Sequence, residues 1–364
     1  MEKVKISAIQ LFALMFLFEM GSAIVINYGM TAKKDAWLAI LVGLCGAIAL
    51  FFIYYFIFRQ YPNLLFTGVL RKIFGKYLGW MIGLLYVVLF IYDAARSLRN
   101  FGDLLLSSTM PKTPLLVLNI LMILSVSYVL FLGIEVLART AEVFIVVLIV
   151  IGLAGNLLIL VSGNFTLPNL LPILENGWKP ILKTAFPLTT VYPFAELIVF
   201  AMIIPSLNRP QSVKKVWLFA LISSGLVLSW TTAIKIGVLG IEQAENATFP
   251  LLSTIAKVNL FDFIQRIDVL VVYTNLITMF FKLSIFYYFV VVGTTDLFKV
   301  KNQQQIILPM AVLITFLSMI MASDYSEHLY EGVTITTRYL YIPFLVILPL
   351  LMFAVSMIRK LFNK

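Results

Sequence analysis

Apolar runs of about 20 residues recur along the whole chain, separated by short stretches rich in charge, proline or glycine. The runs are apolar on every face, so they lack both the stripe of a soluble amphipathic helix and the alternation of a membrane strand. Each is long enough to cross a bilayer as an α-helix. The pattern predicts ten spans, at about 6–32, 35–58, 77–107, 113–132, 135–161, 183–205, 213–237, 262–296, 305–322 and 338–358. Ten spans put both termini on one side. The longest stretches between them, 59–76, 162–182 and 238–261, are too short to bury a core. The chain therefore reads as one polytopic domain over 1–364, with two halves at about 6–161 and 183–358. Segment 59–76 mixes bulky apolar and basic residues, as expected of a short helix on the inner headgroups or packed against the bundle. The prolines and Gly177 of 167–178 predict an ordered outer loop, and acidic 323–331 is expected to be another.

Composition agrees with an all-α integral membrane protein. The 364 residues are 62% hydrophobic and 12% charged, with a mean hydropathy of +1.02, about half the charged fraction of a soluble domain. The N-terminal apolar run is too long for a signal peptide and lacks a small-x-small cleavage site, so it counts as the first span. A net charge of +10 here records topology rather than a nucleic-acid partner. With cytoplasmic termini, fifteen basic residues fall inside and eight outside, in keeping with the positive-inside rule.

Catalytic chemistry has little to work with. One cysteine, Cys45, excludes an internal disulfide, and one histidine, His328, excludes a histidine metal cluster. There is no P-loop, no H-E-x-x-H and no nucleophile–His–acid set, so no enzyme, cofactor or metal is expected. Gly79 and Gly83 form a small-xxx-small packing motif.

Interruptions inside the spans carry more information. Span one holds Glu19-Met20-Gly21-Ser22-Ala23, a carboxyl followed by a helix breaker at bilayer depth, where a charge costs about 2.5–3.5 kcal/mol on insertion scales. Span six holds Tyr192-Pro193-Phe194-Ala195-Glu196, again a breaker beside a glutamate. Glu196 follows Glu19 by 177 positions and five spans, which makes the two halves inverted repeats. Matching interruptions in inverted halves point to a midplane ligand site. Backbone groups freed at a break need partners or a wet cavity. A helix resuming after Gly21 would aim its N-terminal amides at that cavity and suit a carboxylate. Glu196 would accept from an ammonium group, and the aromatics would cover a side chain. The other reading of Glu19 and Glu196 is that each is bonded to a neighbouring helix and fixes packing.

Further polar residues lie in the spans. Asp93 with Arg96 (i,i+3) and Arg99 with Asp103 (i,i+4) are spaced to form ion pairs. Asp268, Asn275 and Lys282 share one face of span eight, with Thr278 between the last two. Lys282 either stands where a sodium-coupled carrier binds its cation or pairs with Glu19 or another carboxylate as a strut.

Four segments together, Glu19–Ala23, Leu170–Gly177, Tyr192–Glu196 with Phe200 and Pro205, and Gln265–Asp268, resemble the B subunits of spore germinant receptors. That family, also termed spore germination permeases, is a branch of the amino acid–polyamine–organocation transporter superfamily. The resemblance spans about residues 4–360. It implies a LeuT-like fold of five plus five inverted helices, with helices 1 and 6 broken at the midplane. It also implies a spore inner membrane location, a membrane-anchored A subunit and a C-subunit lipoprotein as partners, and a small nutrient germinant, an amino acid or a sugar. The superfamily's substrate-holding G-[SA]-G stretch matches Gly21-Ser22-Ala23, with alanine for the last glycine, and Tyr192 and Phe194 match ligand-covering positions. Expected ligand residues are thus Glu19, Gly21, Ser22, Ala23, Tyr192, Phe194 and Glu196, with Asp93, Arg96 and Lys282 as coupling or structural charges. The expected function is a germinant-binding subunit. The alternatives are a proton-coupled amino acid permease, with Glu19, Glu196 or Lys282 carrying the proton, and a scaffold without ligand.

Overall fold

A computed structural model describes residues 5–26, 28–258 and 268–362. Lys3, Arg266 and Lys364 of the charge census, and Gln265–Ile267 of the span-eight motif, lie outside them. The helices are α1 (Ala8–Met20), α2 (Ala36–Gln60), α3 (Phe66–Phe74), α4 (Lys76–Ser108), α5 (Leu115–Leu132), α6 (Ile134–Val161) and α7 (Trp178–Thr184). Then follow α8 (Val213–Leu239), α9 (Ile241–Asn246), α10 (Pro250–Ala256), α11 (Asp268–Phe298), α12 (Gln304–Ile320), α13 (Tyr325–Tyr330) and α14 (Leu348–Phe362).

Among the described residues, eight helical segments are long and apolar enough to span a membrane: 30–60, 76–108, 115–132, 134–161, 178–202, 210–239, 268–298 and 325–360. These fall on predicted spans two to eight and ten. Spans one and nine are shorter apolar helices, α1 with 13 residues and α12 with 17. Span ten starts earlier than expected. The supposed outer loop 323–331 is largely α13, because the Asp324 side chain accepts from the Glu327 amide at 2.9 Å and caps it. A π-helical run, Glu331–Ile347, then joins α13 to α14.

Both predicted breaks are present, and the first differs from its expected form. Ser7 and Gln10 form a capping box that starts α1. The helix stops at Gly21, whose φ of +28° L side chains rarely adopt. No helix resumes over 22–26; the Ile24 amide bonds to Met20 and the Val25 and Ile26 amides to Ser22, as turns. The cause lies on α8. The Lys235 ammonium donates to the carbonyls of Ile24 (3.1 Å) and Ile26 (3.2 Å), which a continuing helix would give to residues 28 and 30. Span six breaks twice. Phe186 leaves helical geometry before Pro187, and after Pro193 the chain tightens into a 3-10 helix over Phe194–Met202.

α11 and α4 form the central pair of the bundle, and α1 packs between α8, α6 and α11. Segment 59–76 takes the packed option. α3 buries Phe66, Val69, Leu70 and Ile73 against its neighbours, while its Arg71 pairs with Asp296 of α11 at 2.5 Å. Gly79 makes that docking possible, because a Cβ there would stand 2.5 Å from the Leu70 carbonyl. We therefore expect Gly79→Leu to cost about 1–3 kcal/mol, read as a lower melting temperature in detergent. Gly83→Ala, whose Cβ would meet side-chain methyls of Leu297 at 3.2 Å and Thr67 at 3.4 Å rather than backbone, should cost less. The reverse order would show that α3 is not held against α4 at Gly79.

A column of rings fills the bundle between the breaks and α3. Phe18 meets Phe286 at 5.0 Å, Phe286 stacks on Phe90 at 5.5 Å, Phe90 meets Phe289 at 4.4 Å, and Phe289 meets Phe66 of α3 at 5.7 Å. Such ring pairs add to simple burial.

Candidate functional site

The two breaks meet face to face. The Ser22 and Tyr192 hydroxyls hydrogen-bond to one another, and the Tyr28 hydroxyl donates to the Tyr192 carbonyl. From α11, the Thr278 hydroxyl donates to the Gly21 carbonyl at 3.1 Å. Between these segments lies a cavity of about 40 Å³, bordered by Ser22, Tyr28, Asp93, Arg96, Asn100, Tyr192, Glu196, Lys282 and Tyr341 among others. That is room for a few waters, each needing about 10–15 Å³. A nutrient-sized occupant requires the site to widen.

Charge in and around the cavity is dense. The Lys282 ammonium lies 2.5 Å from Glu196 Oε2. Asp93 Oδ1 accepts from the Tyr341 hydroxyl at 2.8 Å, while its Oδ2 is buried with no partner among the described residues. Arg96 reaches the His328 carbonyl at 3.2 Å and lies near the Tyr92 ring. A larger vestibule of about 390 Å³ opens beside residues 29–31, 245–248 and α13, and shares Leu188, Leu329 and Val333 with the inner cavity.

Comparison with known proteins bears on this arrangement. Residues 5–326 match the family model described as "Spore germination protein". The chain is 40% identical over 360 residues to Spore germination protein KB of Bacillus subtilis (strain 168), covering 99% of this chain and 96% of that one. This chain belongs to the spore germination protein family. Spore germination protein B2 of the same organism is 24% identical over 334 residues, covering 91% and 88%. Among solved structures, Mhp1, a nucleobase-cation-symport-1 family transporter in a closed conformation with bromovinylhydantoin bound, aligns with a TM-score of 0.67. The alignment covers 88% of this chain and 73% of Mhp1 at 15% identity, so the likeness is one of fold. This germination protein is a multi-pass membrane protein with a LeuT-like fold, its first and sixth spans broken.

In this spore germination protein, Ser22, Tyr192 and Glu196 of the expected ligand residues border the cavity, as do Asp93, Arg96 and Lys282. Glu19, Gly21, Ala23 and Phe194 are absent from the lining. Glu19 turns away to accept from Ser224 of α8, and its second oxygen has no partner among the described residues. Phe194 is buried because Pro193 turns the chain so that only Tyr192 faces inward. Gly21 instead touches the stem of Lys282. In this form Glu196 is paired with Lys282, so the carboxylate that meets this lysine is Glu196 rather than Glu19. The Asp93–Arg96 pair does not form, since each reaches out to the last span or α13 instead. Arg99 and Asp103 do pair, at 2.8 Å, away from the cavity. Among the described residues, neither the Ser22 nor the Ala23 amide is bonded to a carbonyl, and of the two only Ser22 borders the cavity.

Sequence reasoning missed Phe18, Tyr28, Asn100, Phe286 and Tyr341. Phe286 had a signal, since it lies one turn beyond Lys282. Lys235 had one too, as a lysine inside a span with no carboxylate in reach. Its Nζ donates two hydrogen bonds to the turn that presents Ser22, at about 0.5–1.5 kcal/mol each. Lys235→Met should raise the half-maximal ligand concentration about tenfold. An unchanged dose–response would show that the turn holds without it.

Proposed function

We propose that this protein is the nutrient-binding B subunit of a germinant receptor in the inner membrane of a bacterial endospore. It lies there with both termini cytoplasmic and works with a membrane-anchored A subunit and a C-subunit lipoprotein. The role is non-catalytic. Two inverted halves, about 6–161 and 183–358, enclose the site, and nutrient arrival shifts the broken segments that partner subunits read. The observation that carries this reading is the charged cavity built by both breaks in a chain of the germination family. The relative named Spore germination protein KB, matched end to end, supports it.

The nutrient class that fits is an amino acid. Its carboxylate meets the open amide of Ser22, and its ammonium meets the unpartnered Oδ2 of Asp93. Asp93→Asn should then raise the half-maximal nutrient concentration by about 10- to 100-fold, measured as spore germination against nutrient dose. No shift would remove Asp93 from the site.

The reading as a whole is tested in spores whose only intact receptor contains this chain, challenged with single amino acids and sugars. A response to one nutrient that disappears on deleting the chain supports it. Silence to every nutrient, together with uptake of labelled amino acid, would replace it with a permease.

A further inference from the structure

Lys282 occupies surroundings of a kind that proteins build to recognise ammonium ligands. Its ammonium lies 4.8 Å from the centre of the Phe18 ring, 4.9 Å from Tyr192 and 5.6 Å from Phe286, with the Glu196 carboxylate on its remaining side. Ring faces grouped around a cation constitute an aromatic cage. The four walls come from three separate segments, namely α1, the sixth span and α11. A single strut to Glu196 would need none of the rings. The stem of Lys282 reaches the cage across the break in span one, where a Cβ on Gly21 would stand 2.4 Å from its Cδ. Glycine at 21 thus keeps open a channel three methylenes long, ending in a cationic socket.

We propose that Phe18, Tyr192, Phe286 and Glu196 form a subsite for a primary ammonium, whose resident ligand in this chain is the side chain of Lys282. The tethered ammonium clasps the two breaks together. Tyr192, Glu196 and Lys282 also border the nutrient cavity, yet the subsite does not depend on what the nutrient is, and it is measured without one.

The test is chemical rescue on the purified full-length chain in detergent. Lys282→Ala removes three methylenes and the ammonium, the outline of n-propylammonium. Adding n-propylammonium chloride should raise the melting temperature of Lys282→Ala saturably, with sodium chloride as the ionic control. Wild type, whose socket is full, and Lys282→Met, whose channel is full, should not respond. tert-Butylammonium, too wide for the channel, should fail. Adding Phe286→Leu or Glu196→Gln to Lys282→Ala should raise the half-maximal amine concentration at least about tenfold. Equal responses of wild type and Lys282→Ala, or none in a monodisperse Lys282→Ala, would overturn the subsite.

Should Lys282→Ala not be recovered in folded form, a double-mutant cycle between Lys282→Met and Phe18→Leu decides instead. The cage requires their effects on stability to be non-additive, and additive effects would reduce Lys282 to a strut.

Discussion

Gly21→Leu abolishes the nutrient response of spores carrying this receptor alone, while the chain still accumulates in the membrane. The expectation rests on two independent obstacles at one atom. A φ of +28° is strained for any L side chain, and the new Cβ would stand 2.4 Å from Lys282 Cδ and 2.9 Å from the Phe18 carbonyl. Strained backbone and overpacking each cost about 1–3 kcal/mol. They fall on the turn that presents Ser22 and on the channel that carries Lys282 to Glu196. Insertion is driven by the apolar runs and is untouched by a change at the break. Immunoblotting of inner membrane beside a germination curve separates the two effects. A wild-type curve would mean that neither the turn nor the channel matters to the response.

Glu196→Ala should lower stability more than any other single change at the site. It strands the Lys282 ammonium in a buried position, a loss of about 3–5 kcal/mol when one partner of such a pair is removed. Glu196→Gln keeps an acceptor and should lose less. The double variant Lys282→Met with Glu196→Gln has no charge to strand and should recover most of the difference. Thermal unfolding in detergent reads all three. If Glu196→Ala melts with wild type, the lysine has another partner and the site must be redrawn.

Much of the architecture was legible because bilayer thickness writes itself into sequence as run length. α4, α5 and α6 begin and end within two residues of the runs at 77–107, 113–132 and 135–161. The breaks were legible for a second reason, as glutamate beside glycine or proline has no cheap place in a lipid-facing helix. What followed Gly21 was not. Whether a helix resumes depended on Lys235, more than 200 residues away, taking two carbonyls. The site's pairings were hidden likewise. Asp93 and Arg96 sit one turn apart, yet Asp93 bonds to Tyr341, 248 residues on. Local spacing shows which partners are within reach, whereas tertiary packing decides which are taken. The placement of Phe194 was hidden for a smaller reason, since it is buried while its neighbour Tyr192 borders the cavity.

The ring column and the shared aliphatic wall give the site two very unequal sides. Toward the vestibule, the cavity shares the aliphatic side chains of Leu188, Leu329 and Val333 with the wider space. Toward α3, Phe286, Phe90, Phe289 and Phe66 follow one another at close contact. Moving three aliphatic side chains is a matter of rotamers, while parting interlocked rings means separating α4 from α11. The molecule in this form is a cup and not a pipe. From this form the easier way in and the easier way out for a solute are the same rim.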